Sequence, residues 1–216
     1  MSPCAQEHPI LLALLLDALG PGDVFVDVGA NTGFFALPIA KHVGREGRVL
    51  AFEPAPDVAR RLRSAASEGG ADGPITVHEV ALGNEHGSTT LRADPEYPDD
   101  TTKRSLFIAN GPAVAEVPVR SFDELVSWGD VVVERGIDAV KIDVEGAEML
   151  VLEGMRRTLQ RHRPRLVVIE TIESHLRRTD SSVADVHAFM RKLGYTTLDD
   201  ERRLRLNAAF VPRRAS

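Results

Sequence analysis

The sequence predicts an α/β fold: a mostly parallel sheet with helices on both faces and an antiparallel last strand. Three observations carry this expectation. Short apolar, β-branched runs alternate with helical stretches from Val24 onward, the rhythm of right-handed βαβ units. The first such run, Val24–Val28, passes through Gly29-Ala30-Asn31-Thr32-Gly33 into a helix-competent stretch, Phe34–Val43. A strand, a glycine turn and a helix in that order build nucleotide sites at the carboxyl edge of a parallel sheet. Finally, the runs Tyr195–Leu198 and Leu204–Val211 are separated by five residues, Asp199–Arg203. A parallel pair needs a crossover of roughly a dozen residues or more, so these two strands are expected to be antiparallel.

Gln6–Leu19 is apolar over most of its surface and reads as a helix docked on the body, stopped by Gly20-Pro21-Gly22. Arg48–Glu53 reads as the second strand, and Asp57 as the N-cap of a helix over Val58–Glu68. Ile75–Leu82 reads as the third strand. Ser88–Arg92 and the alternating Val114–Arg120 form an edge pair around a loop, Ala93–Ala113, rich in proline and glycine. Long loops of this kind often bind substrate. Ser121 and Glu124 have the spacing of a capping box for a helix to Trp128. The rhythm then resumes with a strand over Ile137–Val144, a helix over Gly146–His162, a strand over Arg165–Glu170 and a helix over Ser182–Leu193. The organisation expected is one domain over 1–216, with an N-terminal helix in 1–20 and a small insertion at 84–120.

The 216 residues carry a formal net charge of −6, which argues against a general nucleic-acid binder. Arg156, Arg157, Arg161, Arg163 and Arg165 cluster as a solvated helix end. The single cysteine, Cys4, excludes an internal disulfide or a cysteine zinc cluster. The apolar run Ile10–Leu16 is too short for a bilayer and lacks a preceding basic residue. A cytoplasmic protein without a membrane span is the default expectation.

The chemistry falls at strand ends. The glycines of the first turn permit positive φ and close approach of a ligand to the backbone, and Asn31 is among the residues that tolerate the left-handed region. Glu53, 20 residues beyond Gly33, is placed to accept ribose hydroxyls. Glu79 and Val80 are placed to flank an adenine. Lys141, Asp143 and Glu145 alternate onto one side of the fourth strand, where buried charge is costly unless paired. They read as a reaction centre. Asp143, Glu145 and Glu148 also offer oxygen ligands to a divalent ion such as magnesium, which this reading admits without requiring. Glu170 ends the fifth strand, with Glu173 and His175 after it; His175 is a further base, or an exposed loop residue.

Asp27-Val28-Gly29-Ala30-Asn31-Thr32-Gly33, Phe52-Glu53-Pro54, Ala81-Leu82-Gly83 and Lys141-Ile142-Asp143-Val144-Glu145-Gly146-Ala147-Glu148 together resemble the FkbM family of S-adenosylmethionine-dependent methyltransferases, a class I group. The resemblance implies a seven-stranded Rossmann-like fold and O-methylation of a small molecule, sugar or natural product. It implies that Asp27, Gly29, Asn31 and Gly33, with Ala30 and Phe34, surround the methionine part of the cofactor. Glu53 and Pro54 would lie at the ribose, Glu79, Val80 and Ala81 at the adenine, and Asp143 and Glu145 at the methyl-transfer site. The base would be Asp143, Glu145, or Lys141 with a lowered pKa. The helix after Glu53 departs from the family pattern at Leu62-Arg63-Ser64-Ala65. Two other classes share the glycine turn and Glu53. One is a nicotinamide-dependent dehydrogenase, which should have an all-parallel sheet; the other is a non-catalytic nucleotide-binding protein.

Overall fold

The computed structural model describes residues 3–67, 73–198 and 204–213. Among these, a seven-stranded sheet forms the centre. Its strands are β1 (Val24–Val28), β2 (Arg48–Phe52), β3 (Ile75–His78), β7 (Ala139–Ile142), β8 (Leu166–Glu170), β9 (Tyr195–Thr197) and β10 (Asn207–Pro212). They lie in the order β3-β2-β1-β7-β8-β10-β9. β10 runs antiparallel to both β8 and β9, and the other neighbours are parallel. The short link between the last two strands does force the reversal expected of it; the linking residues 199–203 lie outside the described set.

Strand alternation divides β1 between two cores. Val24, Val26 and Val28 pack with Val140, Ile142, Val151 and Val186 on one face, and Phe25 packs with Leu15, Ile39 and Val168 on the other. The first face is covered by α5 (Glu148–Gly154) and α8 (Val183–Lys192), the second by α1 (Pro3–Ala18) and α2 (Ala36–Val43). Among the described residues, no helix is long and apolar enough to cross a membrane.

Several boundaries differ from expectation. α3 is Pro56–Ser67, so Asp57 lies in its first turn rather than at the cap; proline is favoured at the first helical position because its missing N–H has no partner there anyway. The third predicted strand divides. β3 stays in the main sheet, while β4 (Ala81–Leu82) leaves it to pair in parallel with β6 (Ala113–Arg120), whose other neighbour is antiparallel β5 (Gly87–Arg92). This second sheet carries the connection 93–112. The capping box at Ser121 forms and starts α4 (Phe122–Trp128).

The predicted helix Gly146–His162 is two helices, α5 and α6 (Arg156–His162), broken at Met155. Buried Asp123 explains the break, since its carboxylate accepts from the Arg157 and Thr158 amides and caps α6 from another element. β7 is also shorter than its apolar run. Strand geometry stops at Ile142, and Glu145 and Gly146 adopt positive φ of 58° and 114°. After β8 comes a short helix that patterning missed, α7 (Glu173–Leu176).

Candidate active site

The turn after β1 sits against the end of β2, where the Gly29 and Ala30 amides both donate to the Phe52 carbonyl. Gly29 has φ +78°, and a Cβ there would lie 1.8 Å from the Asp143 backbone oxygen. The neighbouring strand end, rather than a ligand alone, requires glycine at this position. Gly33, at φ +92°, is required by packing as well: its Cβ would meet Leu62 Cδ1 at 2.5 Å. Asn31 takes the left-handed φ of 46° expected of it. Its amide donates to Glu53 Oε2 at 2.9 Å, and the Ala55 amide donates to Glu53 Oε1 at 2.9 Å. Glu53 is therefore a buried carboxylate whose two oxygens are oriented by backbone. Burial pushes its carboxyl pKa up, against the pull of the two amides and Arg104.

Beneath the turn lies Lys141, 2% exposed. Its Nζ is 3.4 Å from Asp27 Oδ1 and 3.4 Å from Asp143 Oδ2, with the Phe35 ring centroid 5.0 Å away. Parallel register puts Asp27 directly beside Lys141. Burial alone would lower the lysine pKa, but Asp143 and Asp27 outweigh it and the shift is upward. Lys141 sits between two aspartates that favour its charged form, and this shift runs opposite to the lowered pKa that the lysine alternative for the base requires. Lys141 and Asp143 share a side as alternation predicts; Glu145 does not continue it, because the chain has left the strand.

Glu145 instead belongs to a clamped turn. Its carbonyl accepts from Ser105 Oγ at 2.9 Å and Arg178 Nη1 at 2.8 Å, and the Gly146 carbonyl accepts from Thr179 Oγ1 at 2.9 Å. From inside, Glu148 Oε1 accepts from the Val144 and Gly146 amides. A left-handed non-glycine residue persists where its surroundings over-determine it; here two segments distant in sequence and the nearby Glu148 do so. The turn presents the Glu145 carboxyl to His175 Nδ1 at 3.2 Å, and the same nitrogen is 3.0 Å from Glu170 Oε2. Burial and the neighbouring carboxylates push Glu145 up to about 8 and Glu170 up to about 9. The ligand atoms of Glu145, Glu170 and His175 lie within 4.8 Å of one another, a spacing open to a cation. Glu148 is not part of that group, since its Oε1 accepts from two backbone amides, and the group differs from the oxygen set that the sequence admits without requiring.

These features line one cavity of about 690 Å³ at the carboxyl ends of β1, β2, β7 and β8, within the range of small-molecule sites. Gly29, Ala30, Asn31, Phe34, Glu53, Pro54, Val80, Ala81, Lys141, Asp143 and Glu145 all reach it; Asp27 and Gly33 lie behind its wall. Glu79 faces away, paired with Arg63 at 2.8 Å on the surface. Its neighbour Val80 is turned inward by the step from β3 to β4. Residues 94–106 close the far side. They are pinned by Arg104 to Asp57 at 2.8 Å and by Ser105 to Glu145, and Lys103 lies over the Tyr97 ring. Patterning missed His8, Arg178 and Ser105. His8 packs on Phe34 and Phe35, and nothing in the local sequence marks it. Arg178 and Ser105 act on backbone carbonyls, which no motif spacing records.

The family description "Methyltransferase FkbM domain" matches residues 27–197. A 31-O-demethyl-FK506 methyltransferase from Streptomyces tacrolimicus is 31% identical over 208 residues, covering 85% of this chain and 76% of the relative. A hexuronic acid methyltransferase from Haloferax volcanii is 32% identical over 150 residues, covering 69% of this chain and 57% of the relative. Against the latter the chain spans little more than half the relative's length. Among solved structures, the Streptomyces achromogenes O-methyltransferase TomG in complex with SAM superposes with a TM-score of 0.56 at 14% identity, over 96% of this chain and 80% of that one. Magnesium protoporphyrin IX methyltransferase from Synechocystis gives 0.54 at 14% identity, over 96% and 79%. These two likenesses concern the fold. With the family match over most of its length, the chain belongs to the FkbM family of methyltransferases.

Proposed function

We propose that the chain, acting as one domain, transfers a methyl group from S-adenosylmethionine to a hydroxyl of a small molecule, a sugar or a natural product. The observation that carries this is Glu53. A carboxylate with both oxygens oriented by backbone amides, on the wall of a cavity beside the glycine turn, suits two ribose hydroxyls. Val80 and Ala81 supply an apolar wall for an adenine, and Ala30, Asn31 and Phe34 border the rest. Bound there, the group supplies a methyl on a positively charged sulfur. The protein aligns an acceptor oxygen with it, and alignment of this kind is worth about 7–11 kcal/mol at best. Asp143, held by Lys141, and Glu145, held by its clamped turn, border the reacting end. The insertion 84–120 supplies the acceptor's wall through Tyr97 and Lys103.

A nicotinamide dehydrogenase shares Glu53 and the turn, but the antiparallel β10 and the family membership speak for the methyltransferase. The acceptor relatives named above suggest a small-molecule partner rather than nucleic acid. The test is transfer of labelled methyl from S-adenosylmethionine to a panel of glycosides, hexuronic acids and macrolide alcohols. Label in an ether product supports the reading. Tight binding of NAD without binding of S-adenosylhomocysteine overturns it.

A further inference from the structure

The acceptor hydroxyl must lose a proton, and the best-paired groups at the site are poor places for it. Lys141 is an ammonium, and Asp143 is its counter-ion at 3.4 Å. Two imidazoles border the cavity, His8 and His175. His8 packs against the Phe34 and Phe35 rings, with centroids 5.1 and 5.5 Å away. His175 is differently placed. Its Nδ1 faces Glu170 at 3.0 Å and Glu145 at 3.2 Å. Its Nε2 makes no hydrogen bond among the described residues and is not a sealed orphan of the interior.

We propose that His175 takes the acceptor's proton at Nε2, and that Glu170 is the positioning residue that holds the ring and receives the Nδ1 proton in turn. This rests on the methyl-transfer reading above. A histidine engaged at one nitrogen by a carboxylate and open at the other is the arrangement that fixes a single tautomer for proton abstraction. The structure commits several contacts to it. Gly146 has no side chain where a Cβ would come within 2.6 Å of the His175 carbonyl oxygen. Arg178 and Thr179, just beyond His175 in the chain, hold the Glu145 and Gly146 carbonyls. The segment after β8 and the turn after β7 are thereby fastened together, and the ring is seated between them.

The step balances. The acceptor oxygen–methyl bond forms as the methyl–sulfur bond breaks, the hydroxyl proton passes to Nε2, and the Nδ1 proton passes to Glu170. The positive charge lost at sulfur reappears as one proton held by the cluster. The charged groups at the ring are Glu170 from β8 and Glu145 from the turn after β7, and Asp143 and Arg178, the latter from the segment following α7, act in turn on Glu145. Burial and neighbouring carboxylates hold Glu145 up near 8 and Glu170 up near 9, so the relay runs in molecules whose Glu170 is ionised, and turnover should rise as the pH climbs toward 9.

The first test needs no acceptor. Long-range ¹H–¹⁵N spectra of histidine-labelled protein saturated with S-adenosylhomocysteine, recorded above pH 9 where Glu170 is ionised and with His175 assigned by H175Q, should show hydrogen on Nδ1 and a bare Nε2. The tautomers should mix in E170Q and return in E170D. Hydrogen fixed on Nε2 in the wild type overturns the proposal. The second test uses labelled S-adenosylmethionine with three probes: a hexuronic acid glycoside, a neutral hexose glycoside and a macrolide secondary alcohol. H175Q should lower kcat by roughly 10²–10⁴-fold while S-adenosylhomocysteine affinity stays near wild type. E170Q should shift the pH profile. A loss carried by H8Q instead of H175Q, or by chelator and reversed by magnesium, overturns the assignment. Failure of S-adenosylhomocysteine to bind the wild type would instead overturn the methyl-transfer reading itself.

Discussion

The two sides of the cavity are built in different ways. The side at β1 and β2 comes from turns that directly follow strands, with Gly29, Asn31 and Glu53 within 25 residues, the Gly29 amide on the Phe52 carbonyl and the Asn31 amide on Glu53. The side at β7 and β8 is assembled from the insertion, the clamped turn and the segment after β8, with Ser105, Glu145 and Arg178 meeting at one carbonyl. Their charges differ too. Lys141 bridges Asp27 and Asp143, whereas Glu145 and Glu170 share one imidazole nitrogen with, among the described residues, no lysine or arginine paired to either. A paired centre holds its geometry, and a carboxyl pair at one imidazole is suited to holding or passing a proton.

The comparison is broken most severely at Lys141. Lys141→Met leaves buried Asp27 and half-buried Asp143 without their cation, and removing one member of a buried pair costs about 3–5 kcal/mol. Urea unfolding should show a loss of that size or no folded protein; a midpoint near wild type would mean the two aspartates are already neutral. Gly29→Ala comes next. The Cβ clashes with the Asp143 backbone oxygen at positive φ, and unfavourable φ alone costs on the order of 1–3 kcal/mol. Thermal unfolding should fall accordingly, together with cofactor affinity, because the turn itself must move.

Glu53→Gln sharpens the first side of the comparison. It leaves a backbone amide facing an NH₂ group and removes charge from the ribose contacts, so S-adenosylhomocysteine affinity should fall by about 1.5–3 kcal/mol by calorimetry. On the other side, pH is the probe. Glu145 and Glu170 titrate near 8 and 9 in the fold and near 4.5 when unfolded. The folded state therefore binds more protons than the unfolded chain across that window, and stability should fall as pH rises from about 5 to 9. Urea midpoints measured at several pH values should show that decline, and Glu170→Gln should flatten it. The smallest effect is expected at Glu79. Its partner Arg63 is at the surface, where such pairs contribute about 0–1 kcal/mol, so Glu79→Ala should leave cofactor affinity unchanged in the same calorimetric assay.

The same division explains what the sequence disclosed. The β1 side was legible because strand, turn and helix signals are local, and the spacing from Gly33 to Glu53 follows from one βα unit. The antiparallel β10 was legible because five residues cannot make a crossover. The positive φ of Gly29 is as the sequence implies, but a second demand for glycine there, the Asp143 carbonyl, comes from more than 100 residues away. The break at Met155 depends on Asp123 from α4, the inward turn of Val80 on β4 pairing with β6, and the His175 seat on hydrogen bonds to the Glu145 and Gly146 carbonyls. None of these leaves a period or a motif. The sequence marks Lys141 and Asp143 as one charged group, but Asp27, which adds to the upward shift that Asp143 imposes on the lysine, is its neighbour across the sheet rather than along the chain.

The central claim is that the β1–β2 side binds S-adenosylmethionine through Glu53. Calorimetric titration of the wild-type protein and Glu53→Gln with S-adenosylhomocysteine, and of the wild type with NAD, tests it most directly. The account predicts saturable one-to-one binding of S-adenosylhomocysteine, weakened in Glu53→Gln while the fold is retained, and no saturable binding of NAD. Equal affinity of the folded variant and the wild type, or binding of NAD alone, would contradict it.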